Sequence, residues 1–181
     1  SVGADGLICI CPSRRADVGM RIFKADGSEG EMCGNGIRCV GKYVWDKGIL
    51  RRERLTVETR AGVRAVTLHP DGEREEQVTA DMGAAVVSPV RELSAAGEAW
   101  RVRPVDMGNP HAVVWTERPE EIDISRAGPA LERHAAFPAG VNVEFARRLR
   151  PGVYEARVWE RGSGETLACG SGACAVFAAA K

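Results

Sequence analysis

The sequence predicts an α+β fold made of two related halves. Two observations carry that expectation. The strand-like stretches are short and follow one another at hairpin spacing, with helix-like stretches interspersed rather than in strict alternation. An unusual device also occurs twice: Cys33-Gly34-Asn35-Gly36 and Cys169-Gly170-Ser171-Gly172, each opening a stretch that reads as a helix.

Leu7–Cys11 and Met20–Lys24 read as strands separated by the polar run Pro12–Asp17. Residues 35–47 read as a helix, because Ile37, Val40 and Val44 share one face and Gly48 stops it. Leu55–Thr59, Val63–Leu68 and Gln77–Met82 are strand-like, with His69-Pro70-Asp71-Gly72 as a turn. Residues 83–98, small, irregular and containing Pro89, read as a linker. Beyond it Ala99–Asp106, His111–Thr116, Val141–Phe145 and Val153–Glu160 are strand-like. Ile124–His134 reads as a helix with Asp123 as N-cap. An alanine-rich helix follows Ser171.

These elements divide into residues 1–85, which carry Cys33, and 86–181, which carry Cys169. Ala25-Asp26-Gly27-Ser28 precedes the first cysteine motif and Glu160-Arg161-Gly162-Ser163 the second; one inserted residue aligns them. If the halves were once equal, roughly 50 residues are expected in front of Ser1 and roughly 40 beyond Lys181.

Composition excludes several classes. Basic and acidic residues balance at 25 each, with no basic block and no aromatic–basic interleaving, so neither nucleic acid nor a membrane is expected as partner. No apolar run reaches the roughly 18 residues that cross a bilayer. Six cysteines are too sparse for a disulfide scaffold and read as free thiols of a reducing cytoplasm. None of their spacings is the C-x2-C of a zinc ribbon, so no metal is expected. Cys9, Cys11, Cys39 and Cys174 read as small buried hydrophobes; His69 and His134 read as surface residues.

Cys33 and Cys169 read differently, because their context is duplicated. A helix N-terminus carries unpaired N–H groups and partial positive charge, which should make a cysteine there easier to ionise. The glycines let the backbone approach a bound anion. Two such motifs supply two thiols and a carboxylate cradle. One thiolate can remove a proton from a carbon while the other thiol returns one to the opposite face. The cradle stabilises charge that develops on the carboxylate. This chemistry needs no cofactor. His111 is a candidate to assist a thiol, with a satisfied structural histidine as the alternative. Glu160 and Arg161 are candidates for an amino group and a carboxylate, with a strand-end ion pair as the alternative.

These residues resemble a known family. RIFKADGSEGEMCGNGIRCVGKYV (21–44) resembles the first active-site segment of diaminopimelate epimerases. VDMGNPHAVV, GVNVEF and WERGSGETLACGSGACA are similar to that family's later segments in the same order, and SVGADGLICICPS to a stretch inside its first domain. The resemblance implies two pseudo-symmetric domains, each a mostly antiparallel sheet wrapped around a central helix, with the active site in the cleft between. It implies cofactor-independent interconversion of LL- and meso-diaminopimelate, a small-molecule amino-acid substrate, for lysine and peptidoglycan precursor synthesis. It implies a cytoplasmic homodimer.

Residue by residue, Cys33 and Cys169 match the acid–base pair, and His111 and Glu160 the groups that assist it. Gly34, Asn35, Gly170 and Ser171 match the α-carboxylate cradle. Asn109, Asn142 and Arg161 match positions holding the substrate's distal end, and Glu160 also meets the α-amino group. Lys24 departs from the family, which has Asn there as a distal carboxylate ligand; Lys meets a carboxylate as a longer point charge. The family's first strand and its last strands are absent from the sequence. Two alternatives stay open: a racemase of another amino acid, retuned by Lys24, and a thiol redox protein in which Cys33 and Cys169 form a disulfide.

Overall fold

The computed structural model describes residues 4, 6–24, 27–71 and 74–181. The chain divides into two compact units, Ser1–Gly83 and Ala84–Lys181, each with its own apolar core. No helix among the described residues is long and apolar enough to cross a membrane.

The first unit runs β1 (Gly6–Cys11), β2 (Val18–Lys24), β3 (Glu29–Gly30), α1 (Gly34–Asp46), β4 (Arg54–Thr59), β5 (Gly62–Asp71) and β6 (Arg74–Ala80). Its sheet has the order β1-β2-β4-β5-β6, with β3 also on β2, and every pair but β2–β4 is antiparallel. Helix α1 lies against β5 and β6. It buries Ile37, Val40 and Val44, the face its spacing predicts. Gly41 belongs to that face because a Cβ there would stand 2.9 Å from Val66 Cγ1. Gly48 ends the helix in the left-handed region, at φ +64°. Cys39 falls outside this face and is exposed, not buried as expected. The expected turn at His69-Pro70-Asp71-Gly72 is displaced: β5 continues through Asp71, and Gly72 lies outside the described residues.

The second unit runs β7 (Val86–Val87), β8 (Arg91–Ala95), β9 (Glu98–Asp106), β10 (Pro110–Trp115), α2 (Ile124–Glu132), β11 (Asn142–Arg150), β12 (Val153–Glu160), β13 (Gly164–Thr166) and α3 (Gly170–Ala179). The sheet order is β13-β12-β11-β10-β9-β7, with β8 also on β9; β10 and β11 are its parallel pair. The core formed with α2 takes Val143 and Phe145 from β11 and Ala112 and Val114 from β10. Strand alternation then turns Glu144 and His111 to the other face, where α3 packs on β9 to β12. Five successive residues of β11, Asn142–Ala146, are therefore buried.

One expectation fails here and another holds in part. Residues 83–98 are not a linker: β7 and β8 both pair with β9. The β8–β9 hairpin turns on Ala96 and Gly97, both at positive φ (54° and 78°), as a type I′ turn requires. An alanine in that place hid the turn. Asp123 stands at the N-cap of α2, but its carboxylate makes no cap bond and accepts instead from Ser125 Oγ at 2.6 Å.

The internal repeat is closer than the sequence suggested and needs no insertion. Cys169 follows Cys33 by 136 residues (169 − 33), and the strand registers keep that separation. Cys9 pairs with Arg21 and Phe145 with Arg157; Phe23 pairs with Glu29 and Trp159 with Glu165. Even the cross-strand ion pair recurs, Arg21–Glu29 at 2.9 Å and Arg157–Glu165 at 2.8 Å. Each copy is a hairpin, a short return strand, a cysteine and a helix.

Candidate active site

Both cysteines of the repeat are helix N-caps. Their backbones are extended, Cys33 at φ −140° and ψ 113°, Cys169 at φ −125° and ψ 115°. Each sulfur accepts the amide N–H three residues on: Gly36 N to Cys33 Sγ at 3.2 Å, Gly172 N to Cys169 Sγ at 3.3 Å. The first helical bonds close on the cysteine carbonyls, from Ile37 and Ala173 at 2.9 Å each. The amides of Gly34, Asn35, Gly170 and Ser171 thus have no carbonyl within their helix to reach. These are the four cradle residues expected from the sequence.

In the first unit Gly34 is buried and Asn35 exposed, its Oδ1 accepting from Arg38 Nη2 at 2.7 Å. Lys24 ends β2; its backbone closes a tight turn with Gly27 and Ser28.

The surroundings of Cys169 are richer. Of six buried polar or charged side chains among the described residues, five lie in the second unit: Asn109, His111, Asn142, Glu144 and Ser171. Burying polar groups is costly unless they bond one another, and here they do. Glu144 Oε1 meets His111 Nδ1 at 2.6 Å, and His111 Nε2 meets Asn109 Oδ1 at 3.2 Å. Asn109 Nδ2 donates to Ser171 Oγ at 3.3 Å, and Ser171 Oγ lies 3.5 Å from Cys169 Sγ. Glu144 sits where Ile8 sits in the first copy, so this network has no counterpart there. A groove of about 400 Å³ is lined in part by Tyr154, Thr166, Cys169 and Phe177.

Glu160, at the end of β12, accepts from Thr166 Oγ1 at 2.6 Å. The main chain of Arg161 is held by Asn142, whose Oδ1 accepts its N–H at 2.9 Å while Nδ2 donates to Pro110 O at 2.9 Å. The Arg161 guanidinium donates to Ala139 O at 3.0 Å. Glu132 of α2 fixes the same turn, accepting from Trp159 Nε1 at 2.6 Å and Gly162 N at 3.0 Å. Asn142, expected as a substrate ligand, here carries the backbone beneath Arg161. Sequence reasoning missed Glu144, Thr166 and Glu132. Glu144 and Thr166 lie within the segments GVNVEF and WERGSGETLACGSGACA singled out above, but nothing local marked their roles.

The expected easier ionisation of Cys169 is reversed. Burial pushes its thiol up from 9.0 to about 11, and the nearby carboxylates of Glu160 and Glu144 add to this; the bonds from Ser171 and Gly172 oppose it without prevailing. At neutral pH Cys169 rests as a thiol. The unfolded chain gives up this proton first. The contribution to stability is therefore whole below pH 9 and is lost as pH rises towards 11, by about 2 to 3 kcal/mol. Urea unfolding at pH 8 and pH 10 checks this: Cys169→Ser should lack that part of the alkaline decline.

Comparison with known proteins completes the picture. A model of the family described as diaminopimelate epimerase matches residues 1–88 and 104–181. A diaminopimelate epimerase of Desulfovibrio desulfuricans is 48% identical over 197 residues, covering 98% of this chain and 69% of that protein. One from Pelotomaculum thermopropionicum is 46% identical over 191 residues, covering 98% of this chain and 68% of that protein. Among solved structures, a probable proline racemase from Agrobacterium radiobacter superposes with a TM-score of 0.79 at 20% identity, covering 96% of this chain and 59% of that one. A hydroxyproline epimerase from Agrobacterium vitis gives 0.74 at 19%, covering 97% and 60%. These two likenesses establish the fold: mixed, mainly antiparallel sheets with few helices.

Proposed function

The chain belongs to the diaminopimelate epimerase family of isomerases, and on that premise we propose that it interconverts LL- and meso-diaminopimelate by cofactor-independent proton transfer between two thiols. The observation that carries this reading is the repeated helix head, with Cys33 and Cys169 each capping a helix that opens Gly-x-Gly.

In the proposed reaction one thiolate takes the α-proton. The C–H electron pair spreads into the α-carboxylate, whose growing negative charge is met by the amides of Gly34, Asn35, Gly170 and Ser171. The other thiol returns a proton to the opposite face and becomes the thiolate. The two sulfurs have then exchanged one proton's worth of state, and the reverse reaction runs with roles swapped. Cys169, held as a thiol, is the donor in the resting protein. Glu160, oriented by Thr166, takes the α-amino group. Arg161, Asn109 and Asn142 serve the distal end, where Lys24 replaces the family's Asn. The family likeness further supports a place in lysine and peptidoglycan precursor synthesis, a cytoplasmic location and a homodimer.

The test is α-proton exchange. The reduced protein is incubated with LL-diaminopimelate in D2O, beside a panel of other L-amino acids, and followed by NMR. Deuterium uptake with formation of the meso isomer is expected. Exchange with a different amino acid alone would move the substrate, and Lys24 is the residue that would account for it. Absence of exchange with any of them would overturn the reading.

A further inference from the structure

Glu144 is 0% exposed, between Val143 and Phe145 on β11. A carboxyl group in such a place is costly unless something compensates it. Its second oxygen, Oε2, has no hydrogen-bond partner among the described residues. Its contact is with His111 Nδ1. The titratable groups recorded around it are His111 on β10, Cys169 at the head of α3 and, acting on the same thiol, Glu160 on β12. Helix α2 lies on the opposite face with Val143 and Phe145. Gly172 closes the site so tightly that a Cβ there would stand 2.7 Å from Oε1.

The hydrogen-bond directions are legible from the far end. Asn109 Nδ2 donates to Ser171, which leaves its Oδ1 to accept from His111. His111 must then carry a proton on Nε2. A second proton occupies the 2.6 Å contact between Nδ1 and Glu144. Once Cys169 is a thiolate it can only accept, and the Ser171 hydroxyl, already accepting from Asn109, is then its donor at 3.5 Å. In that state every donor in the series points toward the sulfur.

We propose that Glu144 is a positioning residue which, by holding Nδ1 of His111, fixes the ring with Nε2–H on Asn109 Oδ1 and so aims the chain His111–Asn109–Ser171 at Cys169 as a donor. Its work is done when Cys169 becomes a thiolate, after giving its proton to substrate, because a charged sulfur gains most from an aimed hydroxyl. No proton moves along the chain.

The kinetic consequence rests on the proposed function, but the inference is tested without substrate. Cys169 alkylation by iodoacetamide is read by fragment mass against pH in the intact chain, for wild type, Glu144→Gln and Glu144→Leu. A lone negative charge beside a thiol hinders its ionisation, so if Glu144 acted only as a charge, both variants would ionise at lower pH. The chain predicts the reverse for Glu144→Leu, a midpoint raised by about one pH unit, which is tenfold in thiolate fraction. Glu144→Gln, which can still hold Nδ1, should stay near wild type. With diaminopimelate, Glu144→Leu should lower kcat about tenfold with KM little changed. A lowered midpoint in both variants overturns the proposal. The ring 15N spectrum of His111 in the wild-type protein decides it even if Glu144→Leu does not fold: a protonated Nε2 is expected, and a bare one overturns it.

Discussion

Cys169→Ser should lower epimerisation in both directions by about 10³-fold, the usual size of a general acid–base contribution, while leaving the protein folded. The two effects separate because the sulfur has two jobs. As N-cap it accepts the Gly172 amide, and a serine oxygen does that at least as well. As acid and base it must give and take a proton, and an alcohol is far poorer at both. Thermal unfolding should therefore show a midpoint equal to or above that of wild type, beside a near-complete loss of conversion between the isomers. Cys33→Ser should behave alike, since Cys33 caps its helix in the same way. A variant that kept more than a tenth of wild-type activity would remove the thiol from the mechanism.

Gly172→Ala should be a damaging single-methyl change at the site, and its contrast with Gly36→Ala is the informative part. The two glycines hold the same place in the repeat, and a Cβ on either would meet an atom at 2.7 Å. At Gly36 that atom is the Cδ1 end of Ile8, an exposed side chain that can rotate away. At Gly172 it is Oε1 of the fully buried Glu144. Nothing there can yield without breaking the contact to His111. Overpacking of this kind costs about 1 to 3 kcal/mol. Chemical denaturation should place Gly172→Ala in that range and Gly36→Ala well below it. Equal losses would mean the Glu144 pocket is softer than its burial implies.

Much of this architecture can be read from the chain before it is folded, for physical reasons that differ between residues. The Ile37-Val40-Val44 stripe and Gly48 define α1, because periodicity and a left-handed stop are local signals. Cys33 and Cys169 stand out because the same short pattern occurs twice. The β8–β9 hairpin stayed hidden, because its turn uses Ala96 at positive φ where Asn or Gly would have announced it. The register of the repeat was obscured by aligning Gly-Ser with Gly-Ser; cross-strand pairing aligns Glu29 with Glu165 instead. Glu144 was invisible as a functional group because its partner His111 is 33 residues away, joined only by the parallel pairing of β10 and β11. The ionisation of Cys169 was misjudged because a helix terminus is local, whereas burial is set by the whole unit.

The repeat joins two helix heads of matching backbone to unlike neighbours, Ile8 behind one and Glu144 behind the other. At equilibrium a reversible catalyst is blind to such a difference, since the ratio of forward to reverse specificity depends only on the free energies of the two stereoisomers. The inequality can fall only on saturation: one isomer occupies the protein more fully than the other, and turns over at a correspondingly different limit. When both are abundant, the scarcer binder meets an enzyme already engaged. A duplicated motif with one altered neighbour is thus a means of setting which direction crowds first, with the final ratio of isomers untouched.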